Sequence, residues 1–179
     1  NVSSSLVAEQ IKLVLGDIGA NAIKIGMLSH PEIIRVVSDT LKEVAPEIPI
    51  IVDPVMVAKG GTSLLDEEAV DALKTLIVPR AKVLTPNIPE AEVLAGMVAP
   101  RVEDAENLAL ALSALGPEAI LLKGGHRSGE YVVDLLMERG RVVETYTSDR
   151  INTVHTHGTG CTLSSALATG LAQGQTLVH

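Results

Sequence analysis

Along the chain, short runs of aliphatic residues alternate with longer segments in which apolar side chains recur every three to four positions. A strand-sized run followed by a helix-sized one is the pattern of βαβ units. It predicts an α/β fold with three α/β/α layers around a mainly parallel sheet. A helix is predicted over residues 6–15, where Val7, Ile11, Val14 and Leu15 share one stripe, and a strand over 22–26. The next helix starts at Pro31, whose fixed φ and missing N–H suit a first helical turn, and directs Ile34, Val37, Leu41 and Val44 inward. Residues 50–53 read as a buried strand. Beyond the glycine pair Gly60-Gly61, residues 66–76 read as a helix with acidic side chains at its positive end. Further strands are predicted at 83–85 and 119–123, and helices at 90–94 and 103–115. Two β-rich runs between Tyr131 and Tyr146 flank Arg139-Gly140 and predict an antiparallel hairpin; residues 160–172 form a closing helix rich in small residues. With no internal repeat, low-complexity linker or second domain in the pattern, residues 1–179 are read as one domain.

Composition narrows the possible functions. With 46% hydrophobic and 20% charged residues the chain has the makeup of a soluble globular domain. Its core must be aliphatic, because Trp and Phe are absent and Tyr131 and Tyr146 are the only aromatics; a stacking platform for single-stranded nucleic acid is therefore not expected. A net charge of -8 with scattered basic residues disfavours a phosphate backbone as partner, so no nucleic acid is expected. The lone cysteine, Cys161, allows neither an intrachain disulfide nor a multi-cysteine metal site and suits a reducing cytoplasm. Apolar runs such as Ile48 to Val52 are too short to span a bilayer, so a cytoplasmic protein without a membrane partner is expected.

In open parallel sheets, ligands bind beyond the carboxyl ends of the strands, where loops vary freely and helix N-termini point inward. Met27, Asp53, Thr85-Pro86-Asn87, Lys123-Gly124-Gly125-His126 and His157-Gly158-Thr159-Gly160-Cys161 all fall at such positions. The last of these opens the closing helix. Its glycines permit close backbone approach and its unpaired N–H groups suit a phosphoryl group, although a plain glycine turn that starts a helix fits the same residues. Cys161, at that helix N-terminus, is a candidate proton acceptor; a small buried side chain is the alternative. Lys123, followed by two glycines, suits a nucleotide phosphate, or caps a strand. Asn87 and Glu90 offer oxygens of the type that hydrated magnesium prefers, and the same atoms suit helix capping. Asp53 ends an Ile/Val run, where a carboxylate must be solvated, paired or metal-bound. His126, His155 and His157 match no usual zinc spacing.

Four segments taken together are more specific: Asp53 to Gly61 (DPVMVAKGG), Leu84 to Glu92 (LTPNIPEAE), Leu122 to His126 (LKGGH) and Arg150 to Ser165 (RINTVHTHGTGCTLSS). In this order they closely resemble the hydroxymethylpyrimidine (phosphate) kinase family of the ribokinase-like superfamily. The resemblance implies ATP and Mg2+, with Gly158, Thr159, Gly160 and Cys161 as an anion hole, Cys161 in the catalytic-base position, and Lys123 neutralising the transferring phosphate. It also implies nucleotide contacts at Asn87, Gly125 and Thr159, metal organisation at Asp53 and Glu90, and a pyrimidine gripped by Met27 and Val57 beside Cys161. The implied reaction is ATP-dependent phosphorylation of 4-amino-5-hydroxymethyl-2-methylpyrimidine, and then of its monophosphate, to the diphosphate used for thiamin. Members are commonly homodimers or other homo-oligomers. Pyridoxal or pyridoxine kinases resemble the family and are the rival enzyme; a non-catalytic pyrimidine- or nucleotide-binding module is the rival of another class. The family also carries an upstream strand with a glycine-rich segment and further C-terminal helices, so a domain incomplete at both ends is expected.

Overall fold

The computed structural model describes residues 2–56 and 65–178. Helix α1, Ser4–Asp17, starts where the Ser3 hydroxyl accepts from the Leu6 N–H at 3.4 Å. It is followed by β1 (Ile23–Ile25), α2 (Pro31–Val44), β2 (Ile50–Val52), α3 (Glu67–Ala72), β3 (Ala81–Leu84), α4 (Ile88–Ala95) and α5 (Ala105–Ser113). The remainder is β4 (Ala119–Leu122), β5 (Tyr131–Glu138), β6 (Arg141–Asp149) and α6 (Thr159–Ala172). The strands lie side by side in chain order. β1 to β4 are parallel, and β5 and β6 add an antiparallel hairpin, so the mainly parallel α/β/α sandwich expected of the sequence is present.

Successive parallel strands joined by right-handed crossovers place their helices on one face. On that face Ile34, Val37 and Leu41 of α2, Ala69 of α3, Leu94 of α4 and Leu108 and Leu112 of α5 pack with Ile50, Val52, Leu84, Ile120, Leu122 and Met137. Strand side chains alternate, so Val83, Ala119, Leu121 and Leu136 point to the opposite face and meet Leu163, Leu167 and Leu171 of α6. Each fully buried Leu or Ile contributes about 1.5–3 kcal/mol. The side chains that fill both faces are thus mostly aliphatic, with Met137 among them. No helix among the described residues is long and apolar enough to cross a membrane.

The predicted helix over 66–76 divides. After α3 the chain widens into a π turn, Leu73–Ile77, and tightens into a 3-10 turn, Val78–Arg80. Pro79 supplies the reason: it donates no N–H and its ring crowds the carbonyl four residues earlier, so regular α geometry cannot continue through it. The predicted hairpin forms, with Arg139 (φ 49°) and Gly140 (φ 75°) both left-handed as a two-residue turn of primed type requires. It reaches further than Tyr146, to the pair Tyr131 and Asp149. The Gly60-Gly61 loop lies outside the described residues.

Candidate active site

The carboxyl ends of β2, β3 and β4 are brought to one level by the extension of their ladders. Asp53 N–H donates to Ile25 O, Thr85 N–H to Val52 O and Lys123 N–H to Pro86 O, each at 2.9 Å. Asp53 is therefore buried, at 1% exposure, at the centre of these ends. Its Oδ1 accepts from Lys123 Nζ at 3.1 Å and from Thr85 Oγ1 at 3.5 Å. Its Oδ2 accepts from Ser164 Oγ at 3.2 Å, and Lys24 Nζ stands 3.7 Å away. A carboxylate that left water alone would cost several kcal/mol, and here two ammonium groups and hydroxyl donors offset that cost.

The turn that opens α6 comes to the same place. Gly158 is left-handed (φ 83°) and has no side chain to cap the helix, while Thr159 Oγ1 donates to Thr156 O at 3.0 Å and steadies the turn. Gly160 lies in the first helical turn, and a Cβ on it would stand 3.2 Å from Lys123 Nζ and 4.0 Å from Asp53 Oδ2. The ammonium and the buried carboxylate thus lie beside the first turn of α6, an arrangement of cation and helix N-terminus that suits an anion. Cys161 is exposed, so it is not the small buried side chain that its sequence also allowed. Met27, just past β1, is 52% exposed and is likewise not core. Val57 lies outside the described residues.

Asn87 and Glu90 form a capping box at the start of α4. Asn87 Oδ1 accepts from Glu90 N–H and Glu90 Oε2 accepts from Asn87 N–H, both at 2.9 Å. The capping role that the sequence left open is thus taken up, and it aims Glu90 inward: burial pushes its carboxyl above the ordinary value, against the Asn87 amide and Lys123, which draw it down. Asn87 also forms a parallel bridge with Lys123, which binds the two strand ends together. Gly124 has no room for a side chain, since a Cβ there would collide with the Val133 carbonyl oxygen. Its N–H donates to Asp134 Oδ1 at 2.7 Å, and burial raises the Asp134 carboxyl despite that bond and Lys123 nearby. Gly125 and His126 follow on the exposed loop; burial and Lys123 hold the His126 imidazole below its usual pKa.

Among the described residues no group of three or more His, Cys, Asp or Glu side chains gathers as a self-sufficient metal site. Magnesium that arrives with a triphosphate needs only one or two carboxylates and keeps several waters, and Asp53 and Glu90 are oxygen donors that both interact with Lys123. Sequence reasoning missed Lys24, Ser164 and Asp134. Lys24 stood out only as a charge inside an Ile-Lys-Ile strand, and Ser164 as the residue one turn beyond Gly160 on α6.

A mainly parallel three-layer sheet, with a strand-end lysine beside a glycine turn that opens the last helix, is the fold of the ribokinase-like class. Comparison with known proteins is narrower: the chain belongs to the phosphomethylpyrimidine kinase family, whose model matches residues 1–179. It is 41% identical over 170 residues to the hydroxymethylpyrimidine/phosphomethylpyrimidine kinase of Bacillus subtilis, covering 94% of this chain and 62% of that protein. The chain therefore spans less than two thirds of that relative's length. Among solved structures it superposes on the phosphomethylpyrimidine kinase of Clostridium difficile with a TM-score of 0.84 at 37% identity, over 99% of this chain and 71% of the other. It superposes on the pyridoxal kinase of Bacillus subtilis in an ADP complex with a TM-score of 0.88 at 32% identity, over 98% and 65%.

Proposed function

We propose that this chain carries the core and nucleotide side of a kinase that uses ATP to phosphorylate 4-amino-5-hydroxymethyl-2-methylpyrimidine and then its monophosphate. The observation that carries this reading is the 3.2 Å approach of Lys123 Nζ to the Cβ position of Gly160, which places a cation against the amides of the α6 turn. Phosphoryl transfer needs positioning and charge neutralisation more than covalent help, and these groups supply both. In the ground state Lys123 rests on Asp53; a phosphate at the turn draws the ammonium toward its oxygens, while Lys24 stays behind as counter-charge to Asp53. Gly158, Thr159, Gly160 and Cys161 hold the developing charge through their amides, and Gly125 and Asn87 border the nucleotide. Cys161 accepts the hydroxyl proton in the first transfer. In the second the nucleophile is already a phosphate oxygen, so a base matters less. Mg2+, when bound with ATP, neutralises phosphate charge, and Asp53 and Glu90 are the carboxylates that would hold it. Met27 and Val57 belong to the pyrimidine side.

The superposition on a pyridoxal kinase favours vitamin B6 compounds as the second reading. A non-catalytic binding module is opposed by the joint presence of Lys123, Glu90 and Cys161. The working protein is a cytoplasmic homodimer or other homo-oligomer in this reading. The complete protein, incubated with ATP, Mg2+ and the pyrimidine, its monophosphate or pyridoxal in turn, should release ADP with both pyrimidines. Release with pyridoxal alone would transfer the assignment to the second reading, and release with none would end both.

A further inference from the structure

Arg150, at the end of β6, spends its guanidinium on main-chain carbonyls. Nε donates to Gly129 O at 2.7 Å, Nη1 to Gly125 O at 2.9 Å, and Nη2 to Arg127 O and, at 3.5 Å, to Tyr131 O. Its own N–H donates to Glu130 O at 2.7 Å. A guanidinium has five N–H donors in a rigid fork, and three carbonyls of a single loop together with the first carbonyl of β5 occupy this one. That loop follows Lys123 directly and contains Gly124 and Gly125.

We propose that Arg150 is a positioning residue that sets the shape of the loop over 124–130 before nucleotide arrives; the nucleotide part of the claim rests on the kinase reading above. In a trans peptide the N–H of the next residue points away from the carbonyl, and the described backbone contains no cis bond. Holding the carbonyls of Gly125, Arg127 and Gly129 on one side therefore turns the amides of His126, Ser128 and Glu130 to the other. The grip extends further, because Arg127 donates to Ala99 O at 3.0 Å and Val102 O at 3.4 Å. Arg150 also immediately precedes the segment over 151–158 that leads into the Gly158 turn. One side chain thus ties the loop behind Lys123 to the chain entering α6, the two parts of the anion site. A lysine in its place would offer a single nitrogen and could not span four carbonyls.

The test uses R150A, R150K and R150Q in the complete protein, with folding checked by circular dichroism. Trypsin cleavage of the Arg127–Ser128 bond without nucleotide, read by mass, reports loop opening directly, because cleavage follows the open population. R150A should speed that cut at least roughly tenfold, the factor carried by one charge-assisted hydrogen bond, with R150K between it and wild type. The KM for ATP should rise by about tenfold while kcat changes less, the signature of lost preorganised binding. An unchanged cleavage rate overturns the proposal even if the KM rises, since Arg150 would then act on nucleotide itself. Faster cleavage with an unchanged KM overturns the link to nucleotide. A wild-type protein that phosphorylates nothing refutes the kinase reading separately, and ADP affinity by calorimetry then replaces KM. If R150A does not fold, R150K and R150Q carry the same comparison.

Discussion

Gly160→Ala separates the proposed chemistry from stability. Gly160 lies inside α6 and not in the left-handed region, so alanine strains no backbone there; replacing glycine in a helix gains about 0.5–1 kcal/mol, less in a first turn. For a chain of this size 1 kcal/mol moves Tm by about 2–4 °C, so the variant should melt no lower than wild type and up to about 2 °C higher. The new methyl would stand 3.2 Å from Lys123 Nζ and 4.0 Å from Asp53 Oδ2. Lys123 can move by the few tenths of an ångström required, yet the methyl also fills the space where a phosphate oxygen would meet the α6 amides. Removing one such donor costs about 10²–10³ in turnover, and a displacement near 1 Å costs about 10². A fall of roughly 10- to 100-fold is expected in ADP release, measured with a coupled assay beside a thermal melt. Turnover within about twofold of wild type, with the melt unchanged, would show that no phosphate approaches Gly160 and would remove the central support of the kinase reading.

Lys123→Ala should lower both transfers by about 10²–10³, whereas Cys161→Ala should lower the first strongly and the second only a few-fold, read by following each pyrimidine separately; equal losses would refute this division. Asn87→Ala removes the 2.9 Å cap of α4 and should cost about 1 kcal/mol, a Tm fall of about 2–4 °C; an unchanged melt would mean that the capping box contributes nothing. Asp134, whose carboxyl is raised by burial, favours folding when protonated: that contribution is complete below the ordinary carboxylate range and is lost as pH rises through its folded value. Asp134→Asn keeps an acceptor for the Gly124 N–H without the charge, so its stability relative to wild type should climb from pH 3 to pH 7; a pH-independent difference would be the contrary result.

What the sequence by itself determined is the order and kind of the elements. Apolar spacing at Ile34, Val37 and Leu41, the short run 50–52, Pro31 at a helix start and Arg139-Gly140 at a turn act over a few residues, so local physics is enough to read them. The same holds for the chemistry at strand ends, since parallel topology alone assigns ligands to that edge. The tertiary structure decided which of those groups meet. Asp53 finds Lys123 across 70 residues and Ser164 across 111, pairings that depend on strand register and on the face to which each crossover returns. Lys24 became part of the site for the same reason, and Arg150 became a clamp because a hairpin brings it back to carbonyls 19 to 25 residues earlier. Periodicity carries no information about register between distant strands, which is set by packing the two faces of the sheet, and so the partners of each charge could be read only from the folded chain.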